Sequence, residues 1–119
     1  MFVMPDETEE LLIKRWPVVI SKPADEGRVV KHEIQVDYVL LTRDEFDVLL
    51  EASREEDGDD DAILQRVVRG MYGIQDANGN SLEFSTDLLK RMTKIPYVRA
   101  AVLNGYFTAN AGQKAKRKN

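Results

Sequence analysis

The chain reads as an α+β fold, with an N-terminal antiparallel β-hairpin packed against three to four helices and a second short hairpin near residues 72–84. Three observations predict it. Residues 30–40 alternate apolar and polar side chains, the period-2 signature of a half-buried antiparallel strand. Thr42-Arg43-Asp44-Glu45 has the form of a capping box that opens a helix. The segment from about Pro96 to Ala109 is apolar around most of its circumference, as a centrally buried or partner-covered helix would be.

Taken in order, Trp16, Val18, Val19 and Ile20 form the first strand, and SKPADEG supplies Pro, Asp and Gly for its turn. Pro17 has no N–H to give a ladder, so it belongs at a strand start or a sheet edge. On the return strand Val30, His32, Ile34, Val36, Tyr38 and Leu40 share one face. Lys31, Glu33, Gln35 and Asp37 share the other. Phe46, Leu49 and Leu50 continue the helix that Thr42 caps. That helix dissolves into Arg54–Asp61, where six acids surround one Gly. A second helix starts inside the run, capped by its aspartates, with Ile63, Leu64, Val67, Val68 and Met71 as its buried stripe. Gly70 and Gly73 then end it and permit the bend into the next hairpin.

Asn78-Gly79 predicts a type I′ turn, with Leu82 and Phe84 on the returning strand. Ser85 offers another N-cap, and Leu88, Leu89, Met92 and Ile95 form the face of the following helix. Pro96 disfavours helical backbone at Ile95, so that helix ends there and the last one begins. The expected organisation is an N-terminal extension (1–13), a single α+β domain (14–111) and a basic, disordered tail (112–119).

With 119 residues, 43% apolar and 32% charged, the chain has the length and balance of one globular domain. No run approaches the ~18 apolar residues of a membrane span. The opening MFVMPDETEE puts its apolar tip before its acids, the reverse of a signal peptide. Cysteine is absent, which excludes a disulfide scaffold, a thiol nucleophile and a Cys-based zinc site, and suits a reducing cytoplasm. The net charge is −4, from 17 basic and 21 acidic residues. Without Lys114, Lys116, Arg117 and Lys118 there remain 13 basic residues against 21 acidic, a net −8. So acidic a body argues against binding the phosphate backbone of nucleic acid.

Few residues carry the marks of catalysis. His32, the single histidine, has no serine, cysteine or acid at a spacing that would pair with it, and reads as a strand residue. The run Glu55–Asp61 lacks the Gly and the distal bidentate Glu of a calcium loop and reads as a solvated loop with an N-cap. Asp76-x-Asn78-x-Asn80, with Asp87 at the twelfth position, places Ser81 where such a loop needs Gly, and reads as a turn. Gly70-x-x-Gly73 has no following Lys and is no phosphate loop. Neither an enzyme nor a cofactor or metal protein is expected. The best functional candidate is the last helix, because a chain this small cannot enclose every side of it, and a large exposed apolar stripe marks an interface.

Several pieces of the chain line up in one order. An aromatic strand (Arg15-Trp16-Pro17-Val18) and a Pro/Gly turn precede HEIQVDYVLLTRDEFDVLL. RGMYGIQDANGNSLEFS, TDLLKRMTKIPYV, a tyrosine-bearing last helix and the basic end AGQKAKRKN follow. This ordered set, over about residues 14–119, resembles the tail assembly chaperones of long-tailed (siphovirus-type) bacteriophages and prophages. The resemblance implies a non-enzymatic protein of the host cytoplasm that binds the tape-measure protein and keeps it soluble. It also implies help in recruiting tail-tube subunits, in many members through a longer frameshifted form, and absence from the mature virion. It assigns no catalytic residues. Tyr97, Val102, Tyr106 and Phe107 are the expected partner surface, with self-association possible and neither nucleic acid nor membrane as partner. The alternative is a small structural tail or head–tail joining protein that self-associates and stays in the virion.

Overall fold

The computed structural model describes residues 1–6, 8–55 and 61–117, with 52–55 and 61 as backbone only. The fold is α+β: a three-stranded antiparallel sheet of order β1-β2-β3 with four α-helices. β1 (Leu11–Pro23) and β2 (Val29–Leu40) form the expected hairpin, joined through a 3-10 turn at Asp25–Gly27. β1 already pairs at Leu11, opposite Leu40, so the sheet takes in residues 11–13 that the sequence assigns to an extension. Pro17 sits on this edge strand, where its missing N–H costs little.

The helical face of β2 is shorter than its alternation. Ile34, Val36 and Tyr38 are buried, but every residue from 21 to 32 is exposed, Val30 and His32 included. The outer part of the hairpin is an arm that the helices do not cover. Nearer the helices the strand is covered on both sides, and Asp37 and Val39 are buried with their neighbours.

α1 (Arg43–Glu55) opens on the expected capping box. The Glu45 N–H donates to the Thr42 hydroxyl oxygen at 3.3 Å, and the Thr42 N–H donates to the Glu45 carboxylate at 3.1 Å. α2 (Asp61–Val67) is shorter than its apolar stripe suggests. Val68–Tyr72 is not its last turn but strand β3, paired with β2. Leu64, Val67, Val68 and Met71 fit a helical period, yet Gly70 lies directly opposite Asp37 in the ladder. A Cβ at Gly70 would stand 2.7 Å from the Asp37 carboxylate, so glycine is what admits this pairing.

The second hairpin is a single bridge between Gln75 and Ser81. Its turn is not type I′, since Gly79 (φ +84°) is left-handed and Asn78 is not. The Gly79 N–H donates to the Asp76 carbonyl, and Asp76 and Asn80 pair across a three-residue loop. The Asp76 carboxylate accepts the N–H groups of Asn78 and Asn80, both at 2.9 Å, and this Asx capture selects the wider turn.

α3 (Thr86–Thr93) is capped by Ser85, whose hydroxyl accepts the Leu88 N–H at 3.0 Å. Ile95 is half-exposed at the N-cap of α4 (Pro96–Asn110), and Thr93 instead of Ile95 completes the buried face of α3. α4 lies along β1 and β2, α2 packs on β2, β3 and α4, and α1 and α3 close against α2.

Helix and sheet approach closely at Gly105. A Cβ there would meet Val18 Cγ2 at 2.7 Å and the Tyr38 hydroxyl at 2.8 Å. Gly105→Ala should therefore destabilise the chain by about 1–3 kcal/mol through overpacking. Urea unfolding should show a lower midpoint at unchanged slope, and an unchanged midpoint would mean that α4 can lift from the sheet freely.

Candidate partner-binding site

α4 divides into three faces. Val98, Val102, Tyr106 and Ala109 point into the core. The Tyr38 hydroxyl donates to the Val102 carbonyl at 2.6 Å, and the Tyr106 hydroxyl oxygen accepts the Leu41 N–H at 3.1 Å. Asn110 Nδ2 donates to the same Tyr106 oxygen at 3.2 Å. Val102 and Tyr106, both 0% exposed, thus offer a partner no surface, and the sequence expectation for them is corrected. A tyrosine on a helix edge reads equally as anchor or core, and its hydroxyl partner on Leu41, 65 positions away, has no local signal.

The other two expected residues do reach solvent, on opposite flanks. Phe107 is 44% exposed and meets Phe46 of α1 edge-to-face, with ring centroids 5.8 Å apart. Tyr97 is half-buried and lines a groove of about 360 Å³ between β1 and α4. Trp16 and Pro17 form the strand side of the groove, and Ala101, Asn104 and Thr108 the helix side. Lys31 from β2 and Lys116 and Arg117 from the C-terminal segment also line it, and among the described residues no acidic one does. A second hollow, of about 480 Å³, lies beside α1 under Leu41, Val48 and Leu49, and Val48 is 71% exposed.

The opposite sheet face carries a polar cluster that the sequence did not signal. Between Ile13 and Trp16 the β1–β2 register slips by one residue, and Arg15 takes a left-handed backbone (φ +53°). The Arg15 N–H donates to Asp37 Oδ1 at 2.8 Å, and the Tyr72 hydroxyl donates to Asp37 Oδ2 at 2.6 Å. The Arg15 guanidinium stands 4.0 Å above the Tyr72 ring and reaches Gln35 Oε1 at 2.9 Å. Both Asp37 oxygens and the Tyr72 hydroxyl have structural partners, so the cluster holds the bulge and presents no free acid–base pair.

The remaining sequence candidates do not converge. His32 is exposed on the hairpin arm. Asp76 is engaged by its own turn, and the donated Asn80 N–H, foremost, holds its carboxyl below the usual range. The run Glu55–Asp61 lies outside the residues whose side chains are described. Among the described residues no three His, Cys, Asp or Glu side chains gather as metal ligands, and no helix is long and apolar enough to cross a membrane. Comparison with known protein families, characterised proteins and solved structures gave no match.

Two predictions follow from these hydrogen bonds. Asp37→Ala removes two acceptors and strands the Arg15 N–H, and should cost about 2 kcal/mol in urea unfolding. A cost near zero would show that the bulge holds without the carboxylate. The second concerns pH. Burial raises the phenol pKa of Tyr38 and Tyr106, and the hydrogen bond to Asp37 raises that of Tyr72. Raised folded-state values mean stability that is complete below the ordinary phenol range near 10 and lost as pH climbs through the folded values. Tyrosinate absorbance should therefore rise together with loss of circular dichroism above about pH 10. Ionisation of Tyr38, Tyr72 and Tyr106 in a chain that stays folded would contradict this.

Proposed function

We propose that this chain is a phage tail assembly chaperone, which binds the tape-measure protein, keeps it soluble and helps bring tail-tube subunits to it. The reading rests on the ordered segments that resemble that family. The geometric observation that supports it best is on α4. This helix is committed to the core along one face and still presents Tyr97 and Phe107 at its accessible flanks. Aromatic side chains at the edge of a well-packed helix are rigid anchors for a partner helix. A longer frameshifted form would carry the tail-tube contact, and the site of action would be the host cytoplasm.

A small structural tail or head–tail joining protein is the second reading. Its support is β1, a strand of 13 residues at the sheet edge, which a second copy could extend. Detection of the chain in purified virions would favour this reading over the chaperone.

Co-expression with the long helical protein encoded nearest downstream tests the proposal. The partner should stay soluble and co-elute with this chain on a sizing column. Tyr97→Asp with Phe107→Asp should abolish co-elution and leave the circular dichroism of the chain unchanged. Tyr106→Ser should instead unfold it, at a cost of about 3–5 kcal/mol for a buried aromatic. A partner that stays insoluble beside folded wild-type chain would sink the chaperone reading.

A further inference from the structure

We propose that the groove between β1 and α4 is a docking site for an extended, acidic segment of a partner chain, with an apolar side chain seated between Trp16 and Tyr97. Charge points to an acidic ligand. The chain carries 17 basic and 21 acidic residues, yet among the described residues this groove is lined by Lys31, Lys116 and Arg117 and by no carboxylate. A basic concavity draws anionic ligands. Its volume, about 360 Å³, is that of a real ligand pocket.

The backbone points to a peptide. β1 is the outer strand of the sheet, and its far side pairs with no strand among the described residues. Val19 and Ser21 line the groove from that strand, beyond Pro17, so the N–H groups there are available to a ladder. An extended segment laid on this edge would gain main-chain hydrogen bonds from β1, ion pairs from the three cations and an aromatic pocket for one anchor. A small anion would use only the second of these. The inference takes Tyr97 from the proposal above but not Phe107, and it holds for any partner that presents such a segment, so the two can fail separately.

The test uses the full chain and a fluorescent peptide of about eight residues, the length of a long strand, alternating Glu with Phe and Leu. Its controls are the same peptide with Lys for Glu, and an oligonucleotide. Fluorescence anisotropy should show binding of the acidic peptide alone, weakening with salt. The combined Lys31→Glu, Lys116→Glu and Arg117→Glu variant should bind at least about tenfold more weakly. Val48→Ser, at an exposed position of α1 away from the groove, should bind as wild type. Amide shifts at Val19 and Ser21 should accompany binding in heteronuclear spectra. No binding of the acidic peptide, equal binding by the charge-reversed variant, or preference for the oligonucleotide would each overturn the proposal. So would dimerisation of the chain through Val19 and Ser21 that the acidic peptide fails to displace.

Discussion

Tyr38 and Tyr106 make the contact on which the other elements depend. Tyr38 comes from the central strand and Tyr106 from the last helix, and their rings meet at 5.7 Å between centroids. Each hydroxyl is used across the seam: Tyr38 donates to the Val102 carbonyl, and Tyr106 receives the Leu41 N–H. Burying two phenols without partners would cost several kcal/mol, so these bonds are a condition of the packing and not an addition to it. They also fix distance. With a glycine at 105 the helix backbone can descend until Val18 and the Tyr38 hydroxyl occupy the space of a Cβ. Leu41, held by Tyr106, is the residue after which the chain turns into the Thr42 cap. The same seam therefore sets where α1 begins, and Phe46 stacks on Tyr106 at 6.5 Å as a result.

On the far face of the sheet the Asp37 carboxylate has a comparable role for the strands. A bulge leaves one N–H out of the ladder, and a buried orphan of that kind is expensive. One Asp37 oxygen receives the Arg15 N–H, the other receives the Tyr72 hydroxyl, and Gly70 leaves room for both. Three strands are thus tied at one side chain. Bulges bend their strand and increase its twist. Here the bend falls immediately before Trp16 and Pro17, where β1 begins to line the groove against α4. The strained Arg15 and the shape of the groove are two consequences of one extra residue.

Much of this architecture was legible in the chain, and the failures share a cause. The Thr42 box, the Ser85 cap and the Pro96 start of the last helix are local signals, decided within three or four residues, and each is present; the hairpin is present too, extended back to Leu11. β3 was not legible as a strand because Leu64, Val67, Val68 and Met71 satisfy a helical period, while the reason for its pairing lies at Asp37, more than 30 positions away. Adjacent β-branched Val67 and Val68 were the one local hint. At Asn78-Gly79 the pair alone suggests type I′, whereas the Asp76 side chain claims two of the loop's N–H groups and widens the turn. Val102 and Tyr106 read from sequence as partner surface because periodicity marks an apolar helix without saying which arc the sheet takes.

That last point constrains any account of function. α4 is apolar around most of its circumference, but the fold consumes the arc through Val98, Val102 and Tyr106 and leaves its flanks unequal. One flank ends in Phe107 against Phe46, an aromatic pair with a free edge. The other opens on the groove, where Tyr97 faces the edge strand and the charge is positive. A partner that used only apolar burial would choose the first, and a partner with acidic, extended segments the second. The proposed partner, a long helical protein, would present both kinds of surface, apolar along its faces and charged between them. A helix fastened to its own sheet by two tyrosines can meet such a partner on either flank without loosening its core.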